Sequence, residues 1–218
     1  MKTSGRKPGA EQSQQRRNRQ HDLAQAALQI FARKGYSATS IQEVADAIGV
    51  QKGSIYYYID SKEDLLFQIF DAAHQEAEQL MARVDALDVN PVERLRTYLE
   101  MLVARTLQNQ PLQKLYFQDW RYLTGDRRTQ LAARRRQYEL YLRDLTTQAY
   151  RHAGLETSLS DRYVSSFIIG GTNWVADWYR ADGPDSAEDV ARGYADLAMA
   201  AVFGTARPQR HRGAAEVA

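Results

Sequence analysis

The sequence predicts an all-α fold of about nine helices, and three observations lead to this expectation. Apolar residues recur at helical spacing, as in Ala24, Ala27, Leu28 and Phe31. No segment shows the strict apolar–polar alternation that marks a half-buried strand. The length of 218 residues and the hydrophobic fraction of 44% suffice for two small helical domains that share a continuous core.

Local start and stop signals define the first helices. Residues 1–17 lack periodicity and predict a flexible basic arm, with order from Asn18 until Gly35 ends the first helix. Either Thr39 or Ser40 caps a short second helix.

A tight turn at Gly49 then leads into the next helices. A short third helix is expected over 51–58, and Ser61 caps a long fourth helix.

The remainder of the chain predicts five further helices. Pro91 and Pro111 stand where the first turn of a helix tolerates proline. Residues 205–218 are rich in Arg, Gly, Ala and Pro and predict a disordered tail. The breaks between the helices lie at Asn90-Pro91, Gln110-Pro111, Gly125-Asp126, 154–160 and Gly183-Pro184.

Charge is unevenly distributed along the chain. Residues 1–62 contain ten of the 29 Lys and Arg residues but only five of the 27 Asp and Glu residues, although the whole chain has a net charge of only +2. A basic segment on a mildly acidic body is typical of a protein that binds nucleic acid at one end. A solvated basic segment without a partner would give the same pattern.

Several function classes are disfavoured by what the sequence lacks. No window is long and apolar enough to span a bilayer and no signal peptide is evident, so we expect a cytoplasmic protein without a membrane partner. There are no cysteines, and the four histidines are scattered without metal-ligand spacing. Phosphate-binding glycine loops and nucleophile motifs are absent too. We therefore expect no metal, no cofactor and no enzymatic activity.

The second and third predicted helices have the chemistry of a helix-turn-helix that reads DNA. In the third helix, Ile55 faces the core while polar side chains project outward. Gln, Lys and Ser side chains bond base edges in the major groove, and tyrosine hydroxyls reach phosphate oxygens. Gly53 lets the backbone approach DNA closely. For Tyr56 and Tyr58, packing against the fourth helix stays open as the alternative.

Two stretches of sequence, TSIQEVA at 39–45 and GVQKGSIYYYIDSKEDLL at 49–66, resemble the signature of the tetracycline-repressor (TetR) family. The resemblance covers residues 18–70. Ile59 and Asp60 stand where the family usually has Phe and Pro, a departure that concerns loop detail.

The resemblance implies a three-helix helix-turn-helix DNA-binding domain over 18–62 and a larger helical ligand-binding and dimerisation domain over 63–204. For Lys62, a solvated side chain is the alternative, but a lysine at a helix start opposes the helix dipole and favours a nearby anion. The implied phosphate contacts come from Thr39, Ser40, Tyr56 and Lys62, and the implied base contacts from Gln51, Lys52, Gly53, Ser54 and Tyr57.

The resemblance also implies a homodimer. In the family, the last two helices, here about 161–180 and 187–203, form a four-helix bundle with a second copy, and the dimer binds a palindromic operator in double-stranded DNA. Gly170 and Gly171 lower helix propensity, which indicates either a close helix approach or a local bulge beside an effector pocket.

A small hydrophobic effector is the expected signal for release of DNA. Residues 170–183 are similar to TetR-family regulators of fatty-acid and steroid catabolism, whose ligands are acyl-CoA thioesters. An acyl-CoA thioester carries phosphates, which need cations. In addition to Arg121, these cations would come from Arg127, Arg128 and the arginines at 134–136. The arginines at 134–136 also fit a solvated helix face. The candidate lining residues, whose apolar and aromatic members are more often core than pocket, are Tyr98, Leu99, Leu102, Leu115, Phe117, Trp120, Arg121, Tyr138, Tyr141, Phe167, Trp174 and Trp178.

Three alternatives stay open at this point. The same regulator could sense a drug-like or aromatic hydrophobe, in which case free CoA would not compete for its site. A DNA-binding protein without any effector would lack a cavity. An enzyme would need activity that no motif in the sequence predicts.

Overall fold

The computed structural model describes the backbone of residues 8–157 and 159–208 and the side chains of 18–157 and 159–207. Within these residues the fold is all-α, with nine α-helices, as the sequence predicts. The helices are Pro8–Lys34 (α1), Ile41–Ala47 (α2), Lys52–Ile55 (α3), Lys62–Asp85 (α4), Pro91–Gln108 (α5), Gln110–Asp119 (α6), Gly125–His152 (α7), Asp161–Trp178 (α8) and Ala187–Gly204 (α9).

The structure differs from the expected arm and tail. Helix α1 begins at Pro8, ahead of the expected start at Asn18, and residues 1–7 lie outside the described part. The segment added to α1 is rich in Gln, Glu and Arg, which favour helix without requiring an apolar face. At the other end, residues 209–218 of the expected tail also lie outside the described part.

Two very short strands depart from the expectation of helices alone. Leu155–Thr157 (β1) pairs antiparallel with Ala206–Pro208 (β2), with Glu156 opposite Arg207. Three residues are too few to produce a recognisable alternation, so periodicity could not predict these strands.

Side-chain caps start several helices where the sequence placed them. The Asn90 carboxamide oxygen accepts hydrogen bonds from the N–H groups of Val92 and Glu93, and Pro91 follows in the first turn of α5. The Ser61 hydroxyl accepts a hydrogen bond from the Asp64 N–H at 3.0 Å at the start of α4. These bonds satisfy N–H groups that have no partner within the helix.

The chain divides into two compact units. The first consists of the described residues up to Gln75 together with Pro111–Leu131, and the second consists of Glu76–Gln110 and the described residues from Ala132 onward. Helices α4 and α7 therefore contribute to both units, and α6 belongs almost entirely to the first.

The core of the first unit joins the predicted helix-turn-helix to α6 and the start of α7. Phe31 and Phe70 are fully enclosed within it, and Leu115 and Leu131 are buried in the same cluster. Truncating an enclosed Phe to Ala typically lowers the free energy of unfolding by about 3–5 kcal/mol. The three helices predicted to bind DNA are thus stabilised by residues far along the chain.

The second unit is built around α5, which packs against α8 and α9. Leu95 and Leu99 of α5, Leu142 of α7 and Val202 of α9 are buried in its main cluster. None of the helices in the part of the chain that the structure describes is long and apolar enough to cross a membrane.

Candidate DNA interface and effector site

The start of α2 is fixed by a reciprocal cap. The Ser40 hydroxyl accepts a hydrogen bond from the Glu43 N–H at 3.2 Å, and the Glu43 carboxylate accepts one from the Ser40 N–H at 2.7 Å. Lys34 also forms an ion pair with Glu43. The bond from Lys34, followed by those from Ser40, lowers the pKa of Glu43 to about 2. Ser40 itself is exposed at the surface.

Thr39 lies in a different setting from the neighbouring Ser40. Its side chain is buried, and its hydroxyl donates a hydrogen bond to the Gly35 carbonyl at 2.9 Å. The Thr39 N–H donates to the Tyr36 carbonyl at 3.2 Å. Thr39 therefore fixes the loop between α1 and α2, and the phosphate contact that the resemblance implies for it stays a prediction.

Helix α3 presents an exposed polar face, as the sequence predicts. Ile55 is fully buried and Ile59 nearly so, and together they hold the helix on the core of the first unit. Tyr57 is 77% exposed and Tyr56 is 50% exposed. Gln51, Lys52 and Gly53 are exposed as well, and Ser54 is half-buried.

Glycines at the turn and on α3 have different roles. Gly49 has a φ of 68°, a left-handed conformation that the turn between α2 and α3 requires. At Gly53, an added Cβ would meet nothing within 4 Å. Neither packing nor backbone conformation requires glycine at 53, and the close approach of DNA expected there stays a prediction.

Tyr58 follows the packing alternative that the sequence left open. Its side chain packs against the core of the first unit and is only partly exposed. Its carbonyl accepts hydrogen bonds from the side-chain amides of Gln20 and Gln68, both at 3.3 Å. Tyr58 therefore secures the segment after α3 to α1 and α4.

Lys62 begins α4 and leans over an aromatic ring. Its ammonium nitrogen lies 4.3 Å from the centroid of the Tyr36 ring and donates a hydrogen bond to the Ser37 carbonyl at 3.4 Å. Partial burial lowers the pKa of Lys62, while the nearby Tyr122 and Asp119 oppose this shift. The cation is held by contacts that leave it close to the loop before α2.

Sequence reasoning missed a set of contacts that fix these elements from the far end of the first unit. The Asp119 carboxylate accepts a hydrogen bond from the Tyr36 N–H at 3.1 Å. Glu63 accepts bonds from the N–H and hydroxyl of Thr124 at 2.8 and 3.1 Å. Because the partners are 61 to 83 residues apart, no local pattern predicts them.

An ion pair between distant segments also joins the start of α7 to α4. The Arg127 guanidinium donates to the Asp64 carboxylate at 2.8 Å, and both side chains are partly buried. Arg127 was among the cations expected for an effector, but this bond commits it to the first unit.

The structure does not bring all the candidate effector residues together. Tyr98, Leu99, Leu102 and Tyr141 join the main core of the second unit, and Tyr138 is half-buried in α7 of the same unit. The Tyr141 hydroxyl donates a hydrogen bond to Asp85 at 2.8 Å, and burial followed by this bond raises its pKa. The remaining candidates are Leu115, Phe117, Trp120 and Arg121, which belong to the first unit, and Phe167, Trp174 and Trp178, which are exposed on α8.

Most of the candidate cations already have protein partners. An effector phosphate would therefore have to compete with these contacts for most of them. The contacts are Arg127 with Asp64 (2.8 Å), Arg136 with Glu139 (3.2 Å), Arg134 with Glu78 (3.7 Å), Arg121 over the Tyr122 ring (5.7 Å) and Arg128 over the Trp120 ring (5.1 Å).

An apolar surface runs along α8 and α9. Phe167 is 71% exposed, Trp174 62% and Leu197 66%. A Cβ at Gly170 or Gly171 would meet nothing within 4 Å. Helix α8 is continuous from Asp161 to Trp178, so these glycines form no bulge. The arrangement is that of a helix face open to close approach by another helix.

Two family profiles match the chain. Residues 23–69 match the bacterial regulatory proteins of the tetR family, and residues 88–202 match the tetracyclin repressor-like C-terminal domain. The chain belongs to the TetR family. TetR regulators bind operator DNA as dimers and respond to small-molecule effectors, so operator DNA and a second copy of this chain are its partners.

Among curated relatives, the transcriptional repressor KstR2 of Mycobacterium tuberculosis is 28% identical over 191 residues, which are 85% of this chain and 93% of that protein. Its solved structure, described as a ketosteroid transcriptional regulator, has a TM-score of 0.76 at 22% identity and covers 88% of this chain. The structure of AibR with isovaleryl coenzyme A and operator DNA has a TM-score of 0.74 at 26% identity, and the match covers 82% of this chain and 97% of AibR.

In this TetR-family chain, sequence reasoning also missed one polar residue of α5. Arg105 follows Tyr98 and Leu102 at intervals that place all three on one face of the helix. The Arg105 side chain is only 17% exposed, and its Nε lies 4.0 Å from the Glu76 carboxylate. The signal in the sequence is a charged residue at position 105, which interrupts the apolar face that Tyr98 and Leu102 form on α5.

Proposed function

We propose that this chain is a repressor that leaves its palindromic operator when an acyl-CoA thioester binds the second unit. The observation that carries the proposal is the position of Tyr98, a buried residue that shares one face of α5 with Leu102 and Arg105. Tyr98 is 4% exposed, and burial raises its pKa to about 12, although nearby Arg105 acts in the opposite direction.

Tyr98 places a phenolic hydroxyl at the main apolar cluster of the second unit. A ligand that excludes water from such a hydroxyl has to offer it an acceptor, because leaving it unsatisfied typically costs about 1–3 kcal/mol. A thioester carbonyl is a suitable acceptor for a phenolic hydroxyl. Tyr98 is therefore the residue that we expect to bond the acyl group.

Its neighbours on α5 suit the rest of such a ligand. Leu102 provides apolar surface one turn after Tyr98, and Arg105 provides a partly desolvated cation one turn further. On α7, the Arg134 side chain is 31% exposed and its guanidinium lies 3.7 Å from the Glu78 carboxylate. A ligand phosphate could replace Glu78 as the partner of this guanidinium. The likeness to AibR, whose structure contains bound isovaleryl coenzyme A, supports the same ligand class.

An aromatic hydrophobe is the second candidate effector. The rings of Tyr98 and Tyr141 lie 5.1 Å apart in an edge-on arrangement, which would also accept an aromatic ligand. Such a ligand would need neither the arginines nor the thioester, so the effect of CoA-bearing compounds separates the two candidates.

The test is calorimetric titration of the dimer with a series of acyl-CoAs and with free CoA. Replacing Tyr98 by Phe should weaken acyl-CoA binding by about 3- to 10-fold, the value of one neutral hydrogen bond. Tyr163→Phe, an exposed residue of α8, serves as the matched control and should bind like the wild type. Equal affinity of the Tyr98→Phe variant, or release of DNA by free CoA alone, would contradict the proposal.

A further inference from the structure

We propose that Asp119 is a positioning residue for the phosphate contact of Lys62. Asp119 ends α6, far from the helix-turn-helix in sequence, yet its carboxylate accepts a hydrogen bond from the Tyr36 N–H. The Tyr36 ring in turn lies under the Lys62 ammonium at 4.3 Å. The inference rests on the phosphate contact predicted for Lys62.

The bond between Asp119 and Tyr36 is enclosed. Asp119 is 6% exposed and Tyr36 is 9% exposed. A carboxylate at such a position is retained only when it is well bonded, because burying an unpaired charge is expensive. In the first unit this carboxylate accepts a hydrogen bond from one backbone N–H of the loop that connects α1 and α2.

The Tyr36 ring is held on its other sides by aromatic contacts. Its centroid lies 5.2 Å from that of Phe31 and 5.0 Å from that of Tyr122, a residue that follows Asp119 closely in the chain. Burial, followed by the charges of Glu63 and Asp119, raises the pKa of Tyr36 and keeps the ring neutral. The ring is thus a rigid platform whose height and tilt are set by the segment around Asp119.

Lys62 depends on this platform for its own position. A lysine side chain has several rotatable bonds, and its rotamer entropy opposes any single orientation. The ring below it and the Ser37 carbonyl at 3.4 Å restrict the ammonium to the edge of the α1–α2 loop. A shift of Asp119 would move the Tyr36 backbone, the ring and hence the ammonium together.

The segment that contains Asp119 is also the route by which the chain enters α7. Asp119 is followed by the helical turn Trp120–Tyr122 and then by α7, which begins in the first unit and ends in the second. Asp119 therefore lies where the chain enters the helix that both units share.

A double-mutant cycle on operator binding tests the inference. Asp119→Leu keeps a similar shape but removes the acceptor, and we expect about fivefold weaker operator binding with a salt slope that is smaller by about one unit. In the Lys62→Ala background the same change should alter affinity by less than about twofold. Asp119→Asn retains an acceptor oxygen and should keep the wild-type slope. Asp126→Asn, at an exposed position in the first turn of α7, removes the same charge and should have no effect.

The outcomes separate the inference from its premise. If Lys62→Ala leaves the salt slope unchanged, both the phosphate contact and the inference are wrong. If Lys62→Ala lowers the slope but Asp119→Leu weakens binding equally in both backgrounds, only the inference is overturned. Should Asp119→Leu fail to fold by circular dichroism, Asp119→Asn decides alone, because a slope reduced to that of Lys62→Ala overturns the inference.

Discussion

The ammonium group of Lys62 lies 4.3 Å from the ring centroid of Tyr36, at the first residue of α4. The N-terminus of a helix has a partial positive charge, so the helix itself disfavours a cation there. The ring compensates in part through its electron-rich face. A bound DNA phosphate would be attracted both by the Lys62 ammonium and by the N-terminus of α4. This part of the predicted interface is therefore suited to a phosphate.

We expect Lys62→Ala to weaken binding to operator and to scrambled DNA alike and to reduce the salt slope by about one unit, because it removes a single phosphate contact. Fluorescence anisotropy at several salt concentrations measures this. Lys114→Ala removes the same charge from an exposed position on α6 and is the control. A slope that does not change, or that changes equally in the control, would rule out the contact.

Lys52→Ala should have a different effect, since Lys52 is exposed on α3 and is predicted to read bases. We expect the ratio of operator to scrambled-DNA affinity to fall, by an amount equivalent to about 1–3 kcal/mol. Competition binding with both DNAs gives the ratio. A uniform loss of affinity for both DNAs would contradict base reading.

Gly53→Ala separates stability from DNA binding. Because a Cβ at 53 meets nothing within 4 Å, the folded chain should keep its melting temperature or gain slightly from the better helix propensity of alanine. Operator affinity should nevertheless fall if DNA approaches the backbone here. Thermal unfolding and anisotropy are measured on the same samples, and unchanged affinity would show that the site is distant from DNA.

Glu43 should make the stability of the first unit dependent on acid. Its pKa in the folded chain is about 2, below the ordinary 4.5, so the ionised form stabilises the fold above pH 4.5. This contribution should be lost as the pH falls from about 4.5 to about 2. Urea unfolding of the wild type and of Glu43→Gln should therefore converge toward pH 2. Stability curves that stay parallel over this range would show that the cap and the Lys34 ion pair do not hold the carboxylate.

Phe167→Glu tests whether the exposed face of α8 meets a second copy. A charge on this face should give a monomer by light scattering, and loss of two-site binding should weaken operator affinity by about 100-fold or more. Leu140→Glu introduces the same charge at a position of α7 that is 45% exposed and should stay dimeric. A Phe167→Glu variant that remains a dimer would place the interface elsewhere.

Local signals were sufficient for most of the fold and for the exposed face of α3. The turn at Gly49, the cap at Ser61, the helix start at Pro91 and the burial of Ile55 all follow from neighbouring residues. For the N-cap of α2, the sequence left Thr39 and Ser40 as candidates. In the structure the cap is Ser40, because Glu43 lies three positions later and completes the capping box.

Contacts between distant segments could not be predicted in this way. The bond between Asp119 and Tyr36 spans 83 residues, and neither residue belongs to a motif. The exposure of Phe167 could not be predicted either. Helical periodicity shows that a residue lies on an apolar face, but not whether the core, a ligand or a second chain covers that face. The bond from the Thr39 hydroxyl to the Gly35 carbonyl was not predicted either, and the phosphate contact implied for Thr39 stays a prediction.

Fluorescence anisotropy with DNA from upstream of the chain's own gene, titrated with the dimer in the presence and absence of long acyl-CoAs, is the decisive experiment. We expect tight binding to a fragment that contains an imperfect palindrome, release by an acyl-CoA but not by CoA, and weaker release of the Tyr98→Phe variant. Binding that no acyl-CoA reverses would refute the proposed effector. Failure to bind any upstream fragment at moderate salt would contradict the role of this chain as an operator-binding repressor.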